Sequence, residues 1–176
     1  YGNLGKTFEP APILYCEIPE SAHEVDWNVA YMKALELYVL GMQTFRDDSG
    51  RMYGLAVYDA ISEAVNEGRV DSVGFKYCVG VFYERKDAML KYLEEMQKEQ
   101  NCDLQAQMID SFRITVDLYR RLMFDVLREG TEGWNSLFEP VDREHYLEAI
   151  KIIQKLKASE ERNVELAKRI LQKKIL

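Results

Sequence analysis

The sequence is poor in the residues that mark disulfide-bonded, metal-binding or turn-rich proteins. It has three cysteines, two histidines, four prolines and ten glycines among its 176 residues. The cysteines are odd in number and widely separated, which argues against a disulfide framework and against a zinc site. So few prolines and glycines do not supply the turns of a β-sandwich. We expect Cys16, Cys78 and Cys102 to be ordinary buried or half-buried thiols.

Long apolar runs are missing as well. No stretch reaches the roughly 18 apolar residues that a membrane-crossing helix needs, and no charged segment followed by an apolar one opens the chain. These absences predict a cytoplasmic protein with no membrane partner. The chain begins at Tyr1 and not at Met, so we also expect it to be a fragment or a processed product of a longer protein.

The charge is acidic overall but unevenly distributed. The net charge is −7, whereas residues 142–176 carry nine Lys or Arg against six Asp or Glu. The acidic majority of the chain would repel phosphates, so no nucleic-acid partner is predicted. The basic C-terminal stretch is more typical of a solvated helix face than of a binding surface.

What the sequence does contain is helical periodicity. Apolar residues recur at spacings of three and four, which indicates amphipathic helices. The pattern predicts five of them, at about 26–45, 52–66, 72–100, 103–129 and 142–173. Asp26 and Asp142 are expected N-caps, and Gly68 is an expected C-terminal stop. Short connections favour an all-α fold, an antiparallel bundle of about five helices.

The N-terminal segment departs from this periodicity. Pro10, Pro12 and Pro19 interrupt any helix there, whereas residues 13–18 fit one short strand. A lone strand needs a partner. We therefore predict that residues 1–21 are an irregular tether or a single strand that completes a sheet elsewhere, and that residues 22–176 form the bundle domain.

Motifs for catalysis, metal binding or phosphate binding are not apparent. Cys16 and His23 are close in sequence, but no nucleophile motif surrounds them. His145 lies beside Glu144 and three residues before Glu148, whereas a di-metal bundle uses Glu-x-x-His motifs, which do not occur. Neither GxGxxG nor GxxxxGK[ST] is present. We predict no catalytic residue, no metal ligand and no cofactor, and leave open whether the protein is an enzyme.

Tyrosines are unusually frequent for a helical protein. Most of the eleven fall on predicted helices, among them Tyr31, Tyr38, Tyr53, Tyr58, Tyr77, Tyr83, Tyr92 and Tyr119. A tyrosine combines an apolar ring with a polar hydroxyl, which suits the edge of a core. The same chemistry suits the wall of a pocket or a partner surface, and both interpretations stay open.

Charged residues also interrupt the apolar stripes. Lys86 breaks the stripe of the third helix and Glu160 that of the fifth, while Asp59 and Arg85 lie next to such stripes. Buried charges must pair, because an isolated one is costly to remove from water. We therefore predict a polar network or ligand site, composed of Tyr58, Asp59, Arg85, Tyr119 and Glu160.

Three segments resemble one known family. Residues 54–60, GLAVYDA, are similar to the GLxAYDxW segment in the C-terminal helical half of papain-like, C39-peptidase-like proteins related to the butirosin-biosynthesis acyltransferase. Two further segments are similar to the same family, namely residues 82–88, FYERKDA, and the last helix from 147 to 171. The family's tryptophan is replaced by Ile61.

This resemblance implies a non-catalytic helical accessory domain. It would pack on a papain-like domain of the same parent protein and help to form its substrate cleft, with the catalytic cysteine and histidine in that other domain. Residues 13–18 would then end the papain-like sheet or link to it. The alternative hypothesis is a stand-alone bundle for ligand sensing or protein interaction, including a homodimer formed through the first or last helix.

Overall fold

The computed structural model describes residues 26–48, 50–99, 103–128 and 140–173. Within these ranges the chain forms α1 Trp27–Gly41, β1 Phe45–Arg46, β2 Met52–Tyr53, α2 Ala56–Asn66, α3 Ser72–Glu99, α4 Asp103–Arg120 and α5 Arg143–Lys173. Helix α5 packs against α1, α2 and α4, and α3 packs against α4. The predicted all-α bundle of five helices is confirmed, whereas the predicted tether or strand in residues 1–21 lies outside the described residues.

The helix ends follow the capping chemistry expected from the sequence. The backbone N–H groups of Asn28 and Val29 donate to Asp26 Oδ1 at 2.9 and 3.1 Å. Asp142 Oδ1 accepts from the backbone N–H of His145 at 2.9 Å in the same way. These carboxylates satisfy N–H groups that have no partner in the first turn of a helix. Gly68, with φ of +66°, follows the end of α2 as expected.

A short hairpin replaces the facing ends of the first two predicted helices, which were predicted too long. Helix α1 ends at Gly41, and β1 pairs antiparallel with β2, so that Tyr53 lies in a strand and not on a helix. Gly54 accounts for the interruption, since its φ is +66°. A Cβ at this position would lie 2.1 Å from the carbonyl oxygen of Gln43. Helix α2 therefore begins only after this close contact.

The end of α4 also differs from the prediction of a regular helix to about residue 129. The chain continues from Arg121 to Val126 as one π-helical segment. A Cβ on Gly80 of α3 would lie only 3.2 Å from Met123 Cε in this segment. The glycine thus allows α3 to approach the π-helical segment closely.

A polar layer separates two apolar clusters in the bundle core. Along α5, Leu156 belongs to what we call the first cluster and Leu166 belongs to the second. Between them lie Glu160 and Asn163, both 0% exposed. Helix α3 has the same order, because Lys86 lies between residues of the first and second clusters. The two interruptions seen in the sequence stripes therefore meet at one level of the bundle.

Candidate ligand-binding site

A cavity of about 400 Å³ lies beside the polar layer. All five helices contribute to its wall, through residues that include Leu37, Val57, Val79, Tyr119 and Leu156. Most of the lining is apolar, and its polar members are Tyr38, Tyr58, Arg85, Lys86 and Tyr119. Both the size and this mixture are typical of small-molecule sites, which span about 300–1,000 Å³.

Glu160 is the centre of the polar layer. Its Oε1 forms an ion pair with Lys86 Nζ at 2.6 Å. The Tyr38 hydroxyl donates to Oε2, and the Tyr58 hydroxyl donates to Oε1 at 3.3 Å. Partners from α1, α2 and α3 thus compensate a carboxylate on α5 that would be very unfavourable to bury alone.

A second tyrosine extends this network towards the cavity. The hydroxyl oxygens of Tyr58 and Tyr119 lie 2.8 Å apart. Because Tyr58 uses its proton for Glu160, the proton between the two hydroxyls comes from Tyr119. The hydrogen bonds therefore run in one direction, from Tyr119 through Tyr58 to Glu160.

The three tyrosine hydroxyls are held in their neutral form. Burial is the largest cause that raises the pKa of Tyr38, Tyr58 and Tyr119 above the ordinary value of 10.0. The negative charge of Glu160 raises the pKa of each of them further. At neutral pH they consequently act as hydrogen-bond donors and acceptors and not as phenolates.

Lys86 carries hydrogen-bonding capacity that Glu160 does not use up. Its side chain is 13% exposed, and Nζ lies 4.9 Å from the centroid of the Tyr38 ring and 5.6 Å from that of Phe112. In the described part of the chain, Glu160 is its only ion-pair partner. An ammonium group has three N–H donors, so Lys86 can donate to a further acceptor in the cavity.

The structure brings together three of the five predicted site residues. Tyr58, Tyr119 and Glu160 belong to the network, and Arg85 lines the cavity but is exposed to solvent. Asp59 lies apart, on the outer surface of α2, where its Oδ2 is 2.7 Å from Lys157 Nζ. One residue turns an α-helix by about 100°, so Asp59 points away from the face that carries Tyr58.

Two residues of the network were missing from the predicted site. Lys86 had a sequence signal, because it interrupts the apolar stripe of its helix. Tyr38 had a weaker one: it follows the buried Leu35 by three residues, which places both on one side of α1. The sequence identifies such interruptions singly but does not show that they meet.

The remaining candidates for chemistry lie elsewhere. Among the described residues no three His, Cys, Asp or Glu side chains are grouped to hold a metal. His145 Nδ1 is 2.7 Å from Asp142 Oδ1 at the start of α5. Cys78 is exposed, contrary to the expected burial, because it points away from the core face that its neighbour Val79 occupies. Cys16, His23 and Cys102 lie outside the described residues.

Fold and cavity together define a five-helix bundle with an internal amphipathic cavity. None of its helices in the described ranges is both long and apolar enough to cross a membrane. Comparisons with protein-family models, curated proteins and solved structures found no match. The site itself therefore provides the evidence for function.

Proposed function

We propose that this bundle is a binding module for a small, largely apolar molecule that carries one polar end group. The observation that carries the proposal is the position of the Lys86–Glu160 pair at the wall of an otherwise apolar cavity. Apolar walls supply affinity, while a few convergent polar groups fix the orientation of a ligand. Neutral tyrosine hydroxyls and an ammonium with unused donors suit recognition of an acceptor group.

Exposed members of the lining indicate how a ligand enters. Leu37 is 57% exposed and Phe82 is 37% exposed, and Gly41 and Arg85 are exposed as well. These residues belong to the second half of α1 and the middle of α3. The entrance therefore lies between these two helices.

A neutral fluorescent probe tests the proposal directly. We expect N-phenyl-1-naphthylamine to bind the folded protein saturably at one site, with a rise in fluorescence as it leaves water. Gly41→Phe should weaken this binding at least tenfold, because the new ring would stand in the entrance. A side chain is tolerated at Gly41, since nothing lies within 4 Å of a Cβ there.

Leu40→Phe is the matched control for this experiment. Leu40 is the neighbouring residue on α1, is 59% exposed and does not line the cavity. Its substitution should leave probe affinity unchanged. Equal effects of the two phenylalanines, or the absence of saturable binding to the folded wild type, would refute the proposal.

The accessory-domain hypothesis is a second candidate, supported by two observations. Each of the three resemblance segments contributes one residue to the network, namely Tyr58, Lys86 and Glu160. In addition, α1 presents exposed apolar residues on one side, including Val29 at 64% and Leu40 at 59%. Exposed apolar patches commonly mark interfaces.

The sequence of the parent gene tests the accessory-domain hypothesis. We expect the reading frame upstream of Tyr1 to encode a papain-like domain with a cysteine and a histidine in catalytic positions. A reading frame that starts near Tyr1 without such a domain would rule it out. The homodimer stays a prediction that light scattering checks, since a dimer would have twice the mass of the 20.6 kDa chain.

A further inference from the structure

We propose that the ligand is an amphipathic carboxylate, whose carboxylate group is bound by Lys86 and Arg85 and whose apolar body fills the cavity. This inference rests on the proposed binding function and specifies its ligand class. It depends on the charges at the cavity wall, on the donor geometry of α3 and on the shape of the apolar part.

The charge at the cavity favours a single negative charge. Both charged residues of the lining, Arg85 and Lys86, are cations. Glu160 neutralises Lys86, whereas Arg85 has no ion-pair partner within the residues that the structure describes. One positive charge is therefore left for a ligand. A carboxylate balances this charge, whereas a phosphate monoester carries a charge of about −1.5 to −2 and leaves an excess of negative charge.

The hydrogen-bond donors of Arg85 and Lys86 also match a carboxylate. The guanidinium of Arg85 presents a planar fork that binds two carboxylate oxygens at once. Lys86, the next residue on α3, adds an ammonium whose charge lies deeper in the protein. Glu160 repels an anion little, since Lys86 and the hydroxyls of Tyr38 and Tyr58 already occupy its oxygens.

The apolar part of the cavity extends away from these donors. Phe75 also lines it and lies ten residues before Arg85 on α3, a distance of about 15 Å along the helix axis. Val79, Ile153 and Leu122 also line the cavity and belong with Phe75 to the first apolar cluster. An extended alkyl chain fits such a shape, with its carboxylate near the entrance and its methyl end in the first apolar cluster.

Ligands that share one chain but differ in the head group test the inference. We expect decanoate, below its micelle concentration, to displace N-phenyl-1-naphthylamine at a concentration at least tenfold lower than decan-1-ol. Decylamine should be the weakest competitor, because its ammonium meets two cations. Decyl phosphate should bind less tightly than decanoate; equal or tighter binding would overturn the assignment to a carboxylate.

Variants then show whether the two cations cause this preference. Arg85→Gln should reduce the advantage of decanoate over decanol at least fivefold and leave decanol affinity unchanged. Lys91→Gln is the matched control on α3, because Lys91 is 72% exposed and pairs with Asp87 away from the cavity. It should leave the ratio of the two affinities as in the wild type.

A double variant tests Lys86 without leaving Glu160 charged and unpaired. Lys86→Met/Glu160→Gln replaces the ion pair by neutral groups; added to Arg85→Gln, it should abolish the preference that remains, while the variant still binds decanol. If the wild type binds the neutral probe but binds decanoate no better than decanol, the carboxylate inference fails and the binding function stands. If the wild type binds neither the probe nor decanol, the binding function itself fails.

Discussion

Glu160 is the residue at which the hydrogen bonds and the ion pair of the polar layer meet. Its carboxylate is completely buried and accepts from three side chains. Such a buried ion pair contributes little net stability, because desolvation offsets the attraction. Removing one partner is different, since the remaining charge then lies in an apolar interior without compensation. The polar layer is therefore not explained as a source of stability, and it fits the recognition role that we propose.

Lys86→Met should lower the free energy of unfolding by about 3–5 kcal/mol, because Glu160 loses its counter-charge. Adding Glu160→Gln to this variant should restore part of the loss. Urea unfolding at neutral pH measures both values. On the same helix, Lys91→Met removes an exposed partner of Asp87 and should cost less than about 1 kcal/mol. Equal losses at the two lysines would contradict a buried charge pair.

The buried tyrosines predict a loss of stability in alkaline solution. Their pKa in the folded state lies above the 10.0 of an unfolded tyrosine, so the folded state retains protons that the unfolded state releases. This stabilising contribution is complete below pH 10 and declines as the pH rises further. Each such tyrosine should contribute a slope of about −1.4 kcal/mol per pH unit.

Tyr58→Phe isolates one of these contributions. Urea unfolding at a series of pH values gives the free energy of unfolding as a function of pH. Above pH 10 this free energy should fall less steeply than in the wild type, by about 1.4 kcal/mol per pH unit, because one buried tyrosine is missing. Tyr77, which is 64% exposed, supplies the control Tyr77→Phe, with an expected slope like that of the wild type. Identical slopes for wild type and Tyr58→Phe would show that Tyr58 is not held neutral by burial.

At the residue scale the sequence identified single members of the network, but it did not show which polar residues meet in the structure. Glu160 was found because a charge stood where the stripe demanded an apolar side chain. Tyr58 and Tyr119 were found because they lay on such stripes. Asp59 and Arg85 were included because they lie next to such stripes. Arg85 lines the cavity, whereas Asp59 lies on the outer surface of α2, because one residue along a helix is enough to change the face. Periodicity gives the direction of each side chain, but not the height at which two helices meet.

At the scale of elements, the hairpin between α1 and α2 depends on one glycine. Gly54 has a positive φ, and its Cα faces the backbone of Gln43 so closely that no side chain fits. The rings of Phe45 and Tyr53 stack across the hairpin, with centroids 4.3 Å apart. Strands of two residues are too short to show a period of two, so the sequence pattern could not predict them.

Gly54→Ala should destabilise the protein far more than Gly50→Ala does. Both glycines have positive φ, but a Cβ at Gly50 meets nothing within 4 Å. Gly50→Ala should therefore lower the free energy of unfolding only by the conformational penalty of about 1–2 kcal/mol. Gly54→Ala adds a backbone clash to this penalty. Thermal unfolding of the two variants gives the comparison. A similar loss at both sites would show that the hairpin relaxes without strain.

The π-helical segment after α4 illustrates a second limit of sequence patterns. Tyr119, Met123 and Val126 keep spacings of four and three, which fit an ordinary α-helix. The structure nevertheless widens the turn, so that Leu122, Met123, Val126 and Leu127 are all buried. Widened turns of this kind occur often at functional sites. Here the segment supplies Leu122 to the cavity, three residues after Tyr119.

At the scale of the whole molecule, the cavity is a shared element of the core. Every helix contributes to its wall, and the polar layer beside it lies between the two apolar clusters. Composition and periodicity were sufficient to predict the all-α bundle, because one apolar stripe per helix leaves few other arrangements. They could not predict the cavity, since an incompletely filled interior depends on how side chains from five helices fit together.

This shared wall predicts that ligand binding stabilises all five helices together. A ligand at 100 times its dissociation constant should add about 2.7 kcal/mol to the free energy of unfolding. Amides that exchange through global unfolding should then exchange about 100-fold more slowly. Decanoate at saturation is the ligand to use, with hydrogen exchange followed by mass spectrometry on peptides from α1 to α5.

The pattern of protection separates a core site from a surface site. In Gly41→Phe, with the entrance narrowed, the same decanoate concentration should slow exchange much less in every helix. Protection confined to α1 and α3, which border the entrance, would mean that the ligand binds at the mouth and leaves the core unaffected. Uniform protection that Gly41→Phe reduces and Leu40→Phe leaves unchanged would indicate occupancy of the cavity, because a phenylalanine in the entrance would not weaken binding at another surface.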